Sequence, residues 1–471
     1  MFNNILQRFK TNWAFLFHQK PSLALNDSRN TDISAKTTLP WLMVACSIAV
    51  FLVWPLINTM ALRNLLLFTG GSIGAWYLIQ ERHNLYQKSA LPLLMIFLLF
   101  AWMGIHYFLF AQNAALELEQ MKGVGLRALL GVLLGISTGL FARHHQRAQY
   151  LIWLGFSSVV IIFFLNYAWV SFTTESNWTI PYPWAKGFYG NKISIAFFGI
   201  VALALSCGVI SYELMQNMKN GGRIILASTF WIGLTLLAFI FVGTKNGVAV
   251  GLFLIFSLFA VYFVKANKSL RTNIIASIFV IIIGLLSFLH LKLNKEWHNF
   301  LPTVVAGIQI DKNLNWLYYC QPHGGAPVGL PVLEDGSVAP ESAYLRAAYA
   351  TKGAQLLFEN PLGYGLVEPS FMYLVKESYS FFSNICSLSG WLDFALGVGI
   401  PGLLLIWASI ASAIYYSYKQ NSRWSYCSRW MLAGAFVVWI VAEVSRNHFV
   451  EALFFLIALL SAGNLPVRTN K

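Results

Sequence analysis

The side chains best suited to chemistry in this chain are a few cations, one histidine and one aspartate. Lys192 ends Gly187-Phe188-Tyr189-Gly190-Asn191-Lys192, Lys245 stands in Gly243-Thr244-Lys245-Asn246-Gly247, and Arg346 lies in a stretch with helical periodicity, 343–359. Arg446 and His448 share Glu443-Val444-Ser445-Arg446-Asn447-His448, and Asp393 closes Ser389-Gly390-Trp391-Leu392-Asp393. Most of these cations stand at the edge of a long apolar run with little acid beside them. A cation near hydrocarbon is costly to leave unpaired, so a ligand anion is a natural counter-charge. The plainer use is snorkelling into lipid headgroups, and it suits Arg63 and Arg127 better than the others.

Proton transfer would fall to a different subset. His448 is the outer residue type best matched to neutral pH. On helical spacing, however, Glu443, Asn447 and Glu451 share a face with Arg446 adjacent, so a buried structural network fits the same residues. Asp393 could accept a proton or cap a helix that begins there. His323 lies among glycines and prolines, where a lone histidine is ordinarily solvated. The five aspartates, Asp27, Asp32, Asp311, Asp335 and Asp393, are widely separated, and the 5 Cys show no metal-ligand spacing. No metal and no cofactor is expected.

The elements that position these residues are set by composition. Only 11% of residues are charged and 57% are hydrophobic, with mean hydropathy +0.61, whereas soluble domains carry roughly a quarter charged residues. A soluble enzyme and a disordered chain are both excluded. The net charge of +14 then reads as membrane topology rather than nucleic-acid binding. Twelve apolar runs occur at 41–62, 64–80, 89–116, 128–142, 148–174, 193–212, 224–244, 246–264, 272–291, 394–418, 430–442 and 452–467. A helical crossing needs about 20 such residues. The runs lack the alternation of membrane strands, which excludes a barrel. The expected fold is an all-α polytopic membrane protein with about twelve transmembrane helices.

Sorting the 32 Lys and Arg along this topology puts the larger share on short loops level with 1–39, which the positive-inside rule makes cytoplasmic. Both termini are then cytoplasmic. His83, His144 and His145 fall on that side, away from Lys192, Lys245 and Arg346. The first apolar run begins too late for a cleavable signal peptide. The expected divisions are a cytoplasmic segment 1–39, helices one to nine over 40–291, one large outer loop over 292–393, and three helices with a short tail over 394–471. In the loop, Pro340-Glu341-Ser342 starts a helix and Asn360-Pro361-Leu362-Gly363-Tyr364-Gly365 ends it. A polar loop this long between membrane helices reads as a cap over a functional cavity. Cys320 and Cys386 both fall in it and could pair in an oxidising compartment.

Three segments resemble the O-antigen ligase family of bacterial inner-membrane glycosyltransferases: Thr244-Lys245-Asn246-Gly247, the stretch from Arg346 to Gly365, and Gly390-Trp391-Leu392-Asp393 to Gly402 with its Gly397-Val398-Gly399-Ile400-Pro401-Gly402. Twelve spans with the major loop between the ninth and tenth are similar to that family too. The resemblance implies transfer of a glycan from undecaprenyl diphosphate to the lipid A core oligosaccharide at the periplasmic face. The partners implied are the lipid-linked donor, the core acceptor and membrane lipids, with no nucleic acid. Lys245 and Arg346 would bind the diphosphate without a metal, with Lys192 and Arg446 as further cations and Arg346, His448 and Asp393 as catalytic residues. The family's histidine before Ser-Gly-Trp-Leu-Asp is replaced by Leu388, and leucine cannot act as a base.

Other readings of the same features are an O-antigen polymerase or a protein O-oligosaccharyltransferase using the same donor. The polymerase would be expected to carry a second substantial outer loop, and 171–192 is short. The protein transferase would be expected to carry a longer C-terminal part. A polysaccharide transporter or flippase would instead need inverted repeats or paired broken helices with ionisable residues at mid-membrane depth, and the apolar runs carry no Lys, Arg, Asp or Glu. A scaffold without activity is the reading that Leu388 favours.

Overall fold

The computed structural model describes residues 33–173, 187–216, 221–265, 299–312, 314–317, 329–365, 367–380, 382, 387–442, 444 and 447–466, with Gly284. The ninth apolar run, most of 1–39, Cys320, Cys386, His323, Glu443 and Arg446 lie outside the described residues.

Among the described residues the protein is helical, and its only extended pairings are the isolated bridges Leu56–Tyr189 and Val332–Val338. The first half contains α1 (Ile33–Val53), α2 (Met60–Glu81), α3 (Leu91–Leu109), α4 (Ala114–Gln120), α5 (Leu126–His144), α6 (Gln146–Ser157) and α7 (Val159–Thr173). Then follow α8 (Lys192–Gln216), α9 (Gly221–Val242) and α10 (Lys245–Lys265). The polar stretch holds α11 (Phe300–Ile308), α12 (Glu341–Glu359) and α13 (Ser370–Lys376), after which come α14 (Gly390–Tyr418), α15 (Arg423–Val441) and α16 (Asn447–Gly463). Asn113 starts α4 by accepting the Leu116 N–H (3.2 Å), and a π-turn at Met121–Gly125 carries α4 into α5. Six stretches are long and apolar enough to cross a membrane: Lys88–Leu109, Ala114–His144, Gln146–Thr173, Lys192–Gln216, Gly222–Val242 and Gly390–Tyr418. The chain is an all-α, multi-pass membrane protein.

Two helices sit at the centre because, apart from Glu213 and Glu451, they carry almost no charge on any face. Residues 194–211 of α8 are buried without a break, and so are residues 449–465 of α16 and the turn after it. Neither helix could face lipid on one side and a polar surface on the other. α16 lies along α5 at close range, since a Cβ on Gly135 would fall 2.6 Å from the Phe455 carbonyl oxygen. Small residues at such a seam let two backbones approach, which is how helices associate where no hydrophobic effect drives them. Leu65, Phe68, Phe108, Leu226 and Phe230 are exposed around the outside, where lipid is the solvent.

The polar stretch between α10 and α14 has a core of its own. Trp316, Tyr344, Tyr349, Phe371 and Phe382 are buried together, with the Tyr349 and Phe371 rings 5.4 Å apart. Each such ring removed from water is worth about 1.5–3 kcal/mol, so this unit is more than a covering strap. Burial pushes the Tyr344 phenol up to about 12. Asp335 makes a turn by accepting the Ser337 N–H (3.0 Å) and hydroxyl (2.6 Å), which hold its carboxyl below the usual range.

The unit is fixed to the bundle by the two glycine-rich motifs. α14 breaks at Gly399, where φ is 74°, and the turn after α12 fills the break. Tyr364 and Gly365 donate their N–H groups to the carbonyls of Leu396 (2.8 Å) and Gly397 (2.7 Å), and Ile400 donates to Pro361 (2.8 Å). A Cβ on Gly363 or Gly399 would collide with the opposing backbone, and both adopt the left-handed conformation that glycine alone accepts cheaply. Trp102 and His106 of α3 brace the joint through the carbonyls of Val398 (2.6 Å) and Gly363 (3.3 Å).

A candidate anion site at the loop end of the bundle

Three separate segments meet at one backbone oxygen. The carbonyl of Val441, the last residue of α15, accepts a hydrogen bond from the Asn246 amide (2.7 Å) and another from Arg346 Nη1 (2.7 Å). An α-helix leaves its final carbonyls without intrahelical partners, so the end of α15 is a ready acceptor. Arg346 Nη1 also donates to the Leu388 carbonyl (3.2 Å). The start of α10, the middle of α12 and the approach to α14 are thereby pinned to the end of α15. Lys245 is exposed at the first position of α10, one residue from the amide that shares an acceptor with Arg346.

Leu388 is held in an unusual conformation, with φ at 64°. For a residue bearing a Cβ this costs of order 1–3 kcal/mol. The geometry supplies the return: its carbonyl reaches Arg346, while Gly390 N–H next door bonds the Ala442 carbonyl (3.0 Å). Position 388 thus contributes to the site through its backbone. Asp393 is fully buried and its Oδ1 accepts the Ser387 N–H (2.7 Å). The carboxylate therefore ties the turn 387–389 to the first turn of α14, whose N-cap is Ser389 rather than Asp393.

His448 is half-buried near the start of α16, with its ring 4.0 Å from that of Phe449. Phe449 in turn packs on Phe197 and Phe198 in the second turn of α8. Lys192 is exposed at the first residue of that helix. One turn further along α16, Glu451 is buried and accepts from Arg127 Nε (2.5 Å) and Trp54 Nε1 (3.0 Å). Arg63 lies within electrostatic range of both Arg127 and Glu451, and its Nε is buried without a hydrogen-bond partner among the described residues. Glu451 thus pairs with Arg127, from a distant helix, while Glu443 and Arg446 of the network expected around it lie outside the described residues. Beside it, Phe100, Met103, Met121, Val124, Phe394 and Phe454 line a narrow apolar crevice under the loop joint.

The chain matches no protein-family model and no curated protein.

Of the residues singled out in the sequence, Arg346 reaches the Val441 carbonyl, and Lys245 is the neighbour of Asn246, which bonds the same oxygen. Lys192 and His448 belong to neighbouring helices, α8 and α16, at the same end of the bundle. Asp393 is built into the backbone of the turn. What the sequence did not single out is Asn246 as an individual side chain, the carbonyls of Leu388 and Val441, and the pairing of Arg127 with Glu451. A helix-terminal carbonyl carries no residue-type signal, so no motif could have pointed to it. Pairing across 324 residues has no local signature either.

Proposed function

We propose that this protein is a membrane glycosyltransferase of the O-antigen ligase kind, moving a glycan from undecaprenyl diphosphate to the lipid A core. On this reading twelve helices cross the bacterial inner membrane, both termini are cytoplasmic, and the site at the end of α15 faces the periplasm. The observation that carries it is the meeting of Asn246, next to Lys245, and Arg346 at the Val441 carbonyl, with Arg346 also bonding the Leu388 carbonyl before α14. These residues lie in or beside the three segments whose resemblance implied a diphosphate site, and they are far apart in the chain.

The chemistry follows from charge placement. The acceptor hydroxyl oxygen attacks the anomeric carbon, the bond from that carbon to the phosphate oxygen breaks, and the lipid diphosphate leaves with the bonding pair. Charge grows on the departing phosphate, so cations aimed there lower the barrier. Arg346 serves this role with a guanidinium whose direction is set by two carbonyls, and an arginine fork suits phosphate oxygens. Lys245 and Lys192 each stand at a helix N-terminus, where backbone dipoles add to the positive potential. Arg63 completes the set above the Arg127–Glu451 pair, and the apolar crevice beside it suits the first isoprene units of the lipid. His448 accepts the hydroxyl proton as the acceptor attacks, the task that Leu388 cannot perform.

Transfer by purified protein from the lipid-linked donor to core oligosaccharide tests the reading directly. Glycosylated core is expected from the wild-type protein, and no product from either donor or acceptor alone. A gene deletion that leaves the core normally capped would sink it. Full activity in His448→Ala would remove His448 as the base while leaving the diphosphate site standing.

A further inference from the structure

At the end of the bundle opposite the loop lies a second cavity, of about 320 Å³, which the transfer reaction does not use. It is lined by Gln87, Lys88 and Ser89 at the start of α3, by Tyr416, Lys419 and Gln420 at the end of α14, and by Pro466 beyond α16. The backbone around it is already satisfied. Gln87 Nε2 donates to the Pro466 carbonyl (3.4 Å), Arg143 donates to Leu465 (3.3 Å), and Gln420 bonds the Asn464 carbonyl. The end of α16 therefore presents capped carbonyls rather than a repelling negative terminus.

What remains in the cavity wall is cationic and hydrogen-bond donating. Lys88 and Lys419 are both exposed there, and Lys419 Nζ stands over the Tyr415 and Tyr416 rings at 4.6 and 5.7 Å. Ser89 Oγ is buried and has no hydrogen-bond partner among the described residues, although a buried hydroxyl ordinarily finds one. Two ammonium groups and an unanswered hydroxyl call for an anion with several acceptor oxygens, which a phosphate supplies. Depth decides which phosphate. Tyr415, Tyr416 and Tyr418 end a membrane-length helix, and tyrosines concentrate at the level of lipid headgroups. The cavity opens at that level between two membrane helices, where basic pockets take anionic headgroups.

We propose that this cavity binds the phosphodiester headgroup of an anionic phospholipid from the surrounding leaflet. The site is independent of the transfer reaction and holds whether or not that reading survives. The test uses full-length protein in neutral detergent, titrated separately with phosphatidylglycerol, phosphatidylcholine and inorganic phosphate. Thermal unfolding is followed, and retained lipid is counted by native mass spectrometry. Phosphatidylglycerol is expected to raise the unfolding temperature saturably, with at least one molecule retained, while phosphatidylcholine and phosphate do neither. The Lys88→Gln, Lys419→Gln double variant should weaken this by about tenfold, and Ser89→Val by a smaller factor. Arg147→Gln, at an exposed position on the same end but away from the cavity, should leave it unchanged. Equal effects of phosphatidylcholine, equal weakening by Arg147→Gln, or undiminished binding in the double variant would each overturn the proposal. Saturation by inorganic phosphate that displaces the lipid would overturn the lipid source and leave a free-anion site.

Discussion

The two ends of the bundle use their cations differently. Away from the loop, two arginines are absorbed into structure while Arg147 stays exposed: Arg423 pairs with buried Glu213 (2.5 Å) and bonds Tyr150, and Arg429 donates to the Ser417 and Gln420 carbonyls while lying over the Tyr418 and Tyr426 rings. At the loop end Arg127 is treated in this way, against Glu451, and Arg346 is held by the Leu388 and Val441 carbonyls. Lys192 and Lys245 stand exposed at the first residues of α8 and α10. A cation at a helix N-terminus opposes the dipole and costs a few tenths of a kcal/mol to about 1 kcal/mol. The anion binding proposed for this end would make use of such placement.

Substitutions at five positions break or sharpen this contrast. The largest effects are expected where a buried pair is halved, since an uncompensated buried charge costs about 3–5 kcal/mol. Glu213→Leu and Glu451→Leu should both lower the unfolding temperature markedly. They should differ in function: protein of the first variant that still folds should transfer glycan normally, and that of the second should not, because Arg127 and Arg63 would lose their common counter-ion. Equal activity in the folded fractions would erase the contrast between the ends.

Arg346→Ala comes next, with transfer expected to fall about 100-fold, as when one preorganised donor to a developing charge is removed. Arg346→Lys should recover little of it, because an ammonium cannot reach two carbonyls and a phosphate in the same fork geometry. Core capping in the deletion strain, read at equal protein level, checks both. Lys245→Ala should cost less, about tenfold, and should raise the donor concentration needed for half-maximal rate. The smallest effect is predicted at Leu388, where Leu388→Gly should keep transfer within about threefold because glycine accepts positive φ and keeps the carbonyl. Leu388→Pro, with φ locked near −65°, should lose it. A large loss in Leu388→Gly would mean that the side chain matters and that the backbone account of this position is mistaken.

Much of the architecture could be read in the residues. The helices of α2, α3, α8, α9, α10 and α14 follow the apolar runs because a run of that length has no other way to satisfy its backbone in hydrocarbon. The helix at Glu341–Glu359 follows from its start signal at Pro340 and its stop at Asn360-Pro361. The glycine motif at 360–365 was visible as a turn and that at 397–402 as a glycine-rich segment at the start of a span, but their partnership was not. Each is a break in a regular pattern, and only their backbones, 36 positions apart at Gly363 and Gly399, record that one fills the other. The separate core of the loop was missed because its Trp, Tyr and Phe residues are spread among polar segments and give no periodic signal.

The candidate site divides in the same way. Residue types were enough to single out Arg346, Lys245, Lys192 and His448, since ions beside apolar runs are few and each is costly to keep there. Which of them act together depended on where helices end. The Val441 and Leu388 carbonyls, the buried Asp393 and the pairing of Arg127 with Glu451 arise from chain segments brought together by packing. Local composition controls which segments leave water and which cations are available. Long-range packing controls which backbone oxygens those cations meet, because every residue carries the same carbonyl and only its placement makes it an anchor.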